Sequence, residues 1–144
     1  MRVTRAVDYA VRVMLHMAGF PPGTIFPLKR LAQAVDVSES FLAKILQVLT
    51  RGGLLLSRRG PEGGFELSAT GRHATILQVM EVVDGVLQIN DCVGNGHHCE
   101  REENCAAHSV WAETQSMMIR LLGRDSIDSL AQRAIQTKLV TVPE

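Results

Sequence analysis

Three cysteines and a histidine, Cys92, Cys99, Cys105 and His108, fall within seventeen residues of this 144-residue chain, in the stretch CVGNGHHCEREENCAAH, and no other cysteine exists. Three thiols and an imidazole make a four-donor set suited to a soft metal or to an iron–sulfur cluster. The stretch has no hydrophobic periodicity and reads as a loop. Zinc takes the same donors, but its structural sites usually pair ligands closely, as C-x2-4-C. Here the intervening gaps are six, five and two residues, so only Cys105 and His108 keep that habit. On composition and spacing, iron–sulfur and zinc stand level. A metal-free thiol switch and a catalytic cysteine are the further readings. Asp91, Glu100, Glu102 and Glu103 flank the thiols and oppose the thiolate that both of these need. A bound metal's charge overturns that penalty, so the acids favour the metallated readings. His97 and His98 also lie in the loop and are substitute donors for His108.

No second constellation supplies a poised nucleophile and base, so the chain does not read as an enzyme. The net charge of zero hides an asymmetry. Residues 1–75 hold ten Lys/Arg against five Asp/Glu, and residues 76–144 hold five against ten. The first half, at +5, is a candidate polyanion binder and the second, at −5, is not. The first helical pattern carries Arg2, Arg5, Asp8 and Arg12, unlike a signal peptide, and no apolar run is long enough to span a membrane. A cytoplasmic protein with no membrane partner is expected, where disulfides are disfavoured. With 46% apolar but only 4% aromatic residues, the core must be aliphatic and Met-rich.

A helical frame must position the loop. Residues 4–19 place Ala6, Val7, Ala10, Val11, Met14, Leu15 and Ala18 at helical spacing, with Gly19 as a stop. FPPGTIFP reads as a turn-rich connector. Leu28 to Val35 is a short helix ending at Asp36-Val37, and Ser38 is the N-cap of a helix running to about Arg51. So tight a junction marks a helix-turn-helix. In the second helix Leu42, Ile45, Leu46 and Leu49 form a buried stripe, while Ser40, Lys44, Gln47 and Arg51 make an opposite row without an acid. Such a row of donors suits groove and phosphate contacts, with Ser38, Ser40, Lys44 and Gln47 directed to the major groove of double-stranded DNA.

Leu54–Ser57 and Gly64–Leu67 read as the strands of a hairpin wing with Arg58 and Arg59 at its tip, suited to a minor groove or to phosphates. Thr75 begins another helix, closed by Asp84-Gly85. Beyond the loop, Ala107, Val110, Trp111, Thr114, Met117, Met118, Leu121 and Leu122 keep helical spacing. A stripe so long needs a cover, and the same helix of a second subunit supplies one. A final helix, Ile127 to about Lys138, turns Ile127, Leu130, Ala131, Ala134 and Ile135 inward. The expected fold is mainly α with a small β-hairpin. It divides into a winged helix-turn-helix region (1–84), a cysteine-rich loop (85–106), and a dimerisation helix with a C-terminal helix (107–144).

The chain resembles the winged-helix iron–sulfur transcriptional regulators of the IscR/NsrR/RirA family over nearly its whole length. MRVTRAVDYAVRVMLHMA is similar to the family's opening helix, VSESFLAKILQVLTRGGLL to its recognition helix, and RRGPEGGFEL to its wing. Three cysteines ahead of a long helix complete the likeness. The resemblance implies a homodimeric regulator, usually a repressor, binding a palindromic operator and sensing iron, nitric oxide or oxidants. It implies that Cys92, Cys99 and Cys105 are cluster ligands. In CAAHSVW, His108 matches the fourth ligand of a 2Fe–2S cluster. Asp8 stands where some members use a carboxylate of the partner subunit, which favours 4Fe–4S. Both are present, so the cluster type stays open.

Overall fold

Thr4 opens the first helix. In a computed structural model, which describes residues 2–94, 96 and 99–140, its hydroxyl accepts the Val7 N–H at 3.2 Å and so caps α1 (Arg5–Ala18). Val7, Ala10, Val13, Met14, Met17 and Ala18 are buried at three- and four-residue intervals, which makes α1 the central pillar of the molecule. Helices α2 (Leu28–Val35) and α3 (Glu39–Arg51) pack on it and on each other. Their junction turns on Asp36, which caps α2 in the left-handed conformation at φ 53°, a position Asp tolerates better than most residues. Ser38 caps α3, its Oγ accepting the Phe41 N–H at 3.3 Å. Leu42, Ile45, Leu46 and Leu49 are buried as their spacing requires.

The wing strands are β2 (Leu55–Arg58) and β3 (Gly64–Leu67), paired antiparallel from Leu55↔Leu67 to Arg58↔Gly64. A third strand, β1 (Ile25–Phe26), joins the other edge of β3, giving the order β1-β3-β2. It lies within FPPGTIFP, so that stretch is more than a connector. Two residues bounded by Pro27 are too short to show alternation. Gly64 makes the pairing possible: a Cβ there would collide with the Phe26 carbonyl.

Helix α4 (Ala69–His73) is a second element the pattern hides, being five residues with a glycine inside. Its Arg72 donates to the carbonyl of Phe20 at 2.7 Å and to Asp128 at 3.0 Å, joining three segments. Thr75 and Gln78 form a capping box at the start of α5 (Ile76–Asp84).

Helix α6 (His108–Leu122) corrects the single-stripe reading. Met118 and Leu122 pack inside their own subunit, in a small second core with Val7, Met80 and Leu87. Val110, Trp111, Met117 and Leu121 are instead exposed by 58%, 41%, 46% and 61%. The stripe is therefore two faces, one packed within the chain and one exposed. Helix α7 (Ile127–Val140) returns to α1 and α4, burying Ile127 and Ala131. Ala134 and Ile135, expected inward, are exposed because the helix has by then run past the core. No helix among the described residues is long and apolar enough to cross a membrane.

Candidate functional site

Two groups of residues carry the chemistry. The first is the outer face of α3 with the hairpin beside it. Ser38, Ser40, Lys44, Gln47 and Arg51 are all exposed there. Ser38 is already engaged as the cap, with Ser40 Oγ 3.5 Å from its own Oγ. Lys44 and Arg51 have no ion-pair partner among the described residues. A hollow lined by Gln47, Thr50, Arg51, Ser57 and Phe65 separates the helix from the hairpin.

The two wing arginines differ. Arg58 ends β2 rather than sitting in the turn, and its guanidinium is held across the hairpin by Glu66 at 2.7 and 2.9 Å. Arg59, in the turn itself, is exposed and has no ion-pair partner among the described residues. A further cation arrives from α1. Arg5 lies over the rings of Tyr9 and Phe41, 6.0 and 5.6 Å from their centroids, which sets a guanidinium beside the start of α3. Nothing in the local sequence pairs residues thirty-six positions apart, so spacing alone does not reveal it.

The second group is the loop. Cys92, Cys99 and Cys105 line one hollow of about 490 Å³, together with Asn90, Asp91, Glu100, Arg101 and Trp111. All three thiols are free; Cys92 and Cys99 are half-buried and Cys105 is exposed. Two short 3-10 turns, Asp91–Val93 and Glu102–Asn104, give the loop its local order. His108 is the first residue of α6. Its Nε2 lies 3.3 Å from a Glu102 carboxylate oxygen, while its Nδ1 is buried without a hydrogen-bond partner. Among the described residues no three His, Cys, Asp or Glu side chains are gathered tightly enough to hold a single ion. A preformed site is not required, since metal binding and loop closure are coupled. Three thiols on one hollow fit a soft-metal group in donor chemistry, and His108, three residues after Cys105, is not among the residues that line it.

Asp8 is not brought to this hollow within the chain. It pairs with Arg12 at 3.0 Å and lines a separate depression with Arg2, Val3, Thr4 and Arg5. His97 and His98 lie outside the described residues.

Residues that spacing did not single out support the loop. Gln115, on α6, bonds the main chain at Ile89 and Val93. Thr4 donates to Asp84 at 2.8 Å, tying the start of α1 to the end of α5 where the loop departs. The one sequence signal for Gln115 is its place seven residues after His108, on the same helix face.

Residues 3–133 match the profile of the Rrf2 family, described as iron-dependent transcriptional regulators. The HTH-type transcriptional regulator IscR of Vibrio campbellii is 29% identical over 130 residues, which cover 90% of this chain and 77% of that protein. Two solved structures share the fold. CymR, the global cysteine regulator of B. subtilis, has a TM-score of 0.75 at 21% identity, covering 92% of this chain and 98% of its own. T. potens IscR has a TM-score of 0.73 at 22% identity, covering 100% and 93%.

Proposed function

The chain belongs to the Rrf2 family of transcriptional regulators, and from that premise we propose that it is a homodimeric repressor governed by an iron–sulfur cluster on Cys92, Cys99 and Cys105. The observation that carries this reading is the single hollow that all three thiols share. A cluster bound there supplies iron that oxidants, nitric oxide or iron shortage can attack or remove. The chain supplies the ligands: three thiolates, with His108 as the fourth donor of a 2Fe–2S form or Asp8 of the partner subunit for 4Fe–4S. The place of His108 three residues after Cys105, at the start of α6, supports the first choice.

The roles divide along the chain. Residues 1–84 read DNA, 85–106 hold the sensing group, and 107–144 carry the surface that pairs two subunits. Ser38, Ser40, Lys44 and Gln47 face the major groove, Arg51 joins them in contacting DNA, and Arg58 and Arg59 meet the minor groove or phosphates. A two-fold axis sets the two reading helices about 34 Å apart, which calls for a palindromic operator. Ligand state and DNA affinity are linked reciprocally, so the form that binds DNA more tightly is also the form that DNA stabilises.

Anaerobic purification with iron, sulfide and zinc analysis tests the reading. The expected protein is brown, holds iron and sulfide in comparable amounts, and loses its colour in Cys92→Ala. Trp111 is the chain's single tryptophan and lines the hollow, so a coloured cluster quenches its emission while zinc leaves it bright. A colourless protein with bound zinc points to a structural zinc. A metal-free thiol switch is the second reading favoured by a specific observation, since three free thiols border one space. It predicts DNA binding that air abolishes and a reducing thiol restores without metal.

A further inference from the structure

Gln115 sits in the middle of α6, and both ends of its amide are engaged. Its Oε1 accepts the main-chain N–H of Ile89 at 3.1 Å, and its Nε2 donates to the main-chain carbonyl of Val93 at 2.8 Å. These backbone groups bracket Cys92. A carboxamide of this reach serves both, because the N–H needs an acceptor and the carbonyl needs a donor. A carboxylate of the same reach serves the first alone, and a hydrocarbon serves neither. Gln88 adds local bonds within the same segment, its Nε2 donating to Asn90 O at 3.3 Å and to an Asp91 carboxylate oxygen at 3.4 Å. Gly94 packs so closely on the Gln88 side chain that a Cβ there would collide with it.

Gln115 and His108 are two helical turns apart on one face of α6. The exposed Val110, Met117 and Leu121 lie on the far side of α6, and Trp111 lies between the two sides. We infer that Gln115 is a positioning residue of the cysteine centre, holding the Cys92 segment at a set offset from His108 along α6. The donor set is then shaped by a rigid helix and not by the loop alone. The helix with the exposed apolar face is thereby joined to the segment whose ligand state changes. This inference rests on the reading of the loop as a ligand-holding centre.

The test uses Gln115→Leu and Gln115→Glu in the full chain, with two readouts. One is the alkylation rate of Cys92 relative to Cys105 in reduced, metal-free protein, followed by mass spectrometry. The other is the decay of visible absorbance when an iron chelator is added to anaerobically reconstituted protein. Gln115→Leu is expected to raise Cys92 alkylation several-fold while leaving Cys105 at the parent rate. It is also expected to speed cluster loss about tenfold or more, as removal of a ligand-orienting partner does. Gln115→Glu, which keeps the Ile89 contact, falls between. A general packing role would instead lower the apoprotein's melting temperature and expose both cysteines alike, overturning the inference. Parent-like rates in both assays overturn it as well. If the parent takes up no cluster, the cluster reading fails, and the alkylation ratio still decides the role of Gln115.

Discussion

Arg58 and Arg59 are sequence neighbours in different electrostatic circumstances. Arg58 is neutralised locally by Glu66, whereas Arg59 has no ion-pair partner among the described residues. A free cation near DNA releases counterions when it meets phosphate, so Arg59→Ala is expected to weaken operator binding and lower the salt slope by about one. Glu66→Gln has the opposite expectation. It frees Arg58 and removes an acid, so affinity should rise and the slope should steepen. Fluorescence anisotropy across a salt series measures both, and an unchanged slope in both variants would remove the wing from the interface.

His16 offers a second test at this scale. Burial, and secondarily the charge of Arg30, lower its pKa from the ordinary value. Its ring packs 5.3 Å from Phe20 and 5.9 Å from Phe26, with Nε2 buried and unbonded. With the folded pKa below the unfolded one, the unfolded chain takes up a proton that the native state refuses. The contribution is whole above about pH 6.5 and is lost as pH falls through that value toward the folded pKa. His16→Phe should therefore flatten the fall in melting temperature between about pH 7 and 5.5 relative to the parent.

Among elements, the contact of α3 with α5 joins the reading helix to the helix that leads into the cysteine loop. Gly52, at the end of α3, has an ordinary φ of −77°, so its backbone suits any residue. Space is what it lacks, because a Cβ would stand 2.5 Å from Val82 Cγ1. Gly52→Ala is expected to cost about 1–3 kcal/mol through overpacking. Adding Val82→Ala should restore most of the loss, and urea denaturation of the four proteins of the cycle measures the coupling. Additive losses would mean that the helices do not meet through this pair. The helix-turn-helix itself was legible because Leu42, Ile45, Leu46 and Leu49, with the Ser38 cap, are local signals. Strand β1 and helix α4 were not, since two and five residues are too few to establish a period.

At the scale of the whole molecule, the exposed face of α6 is the proposed pairing surface. Val110, Trp111, Met117 and Leu121 form an apolar surface on a helix with no fully buried residue. A second copy laid against it buries that surface, and a two-fold pair presents two reading helices to a palindrome. Leu121→Glu, which replaces the most exposed of these four, is expected to give monomers in sedimentation. Operator affinity should fall roughly tenfold or more as the paired reading heads are lost. A dimer unaffected by this change would place the pairing surface elsewhere.

The sequence alone determined the helix-turn-helix and the Ser38 cap, the hairpin, the clustering of Cys92, Cys99, Cys105 and His108 within seventeen residues, and the charge asymmetry. Each depends on residue type and short-range spacing, which are written along the chain. Only tertiary structure decided that Met118 and Leu122 turn inward while Met117 and Leu121 face out. Only tertiary structure tied Arg58 to Glu66, laid Arg5 on Phe41, set Asp8 apart from the thiols, and bonded Gln115 to the backbone before and after Cys92. A helical period says which residues share a stripe but not what will cover it. A hydrogen bond between residues twenty-six positions apart forms only after the core has brought α6 and the loop together.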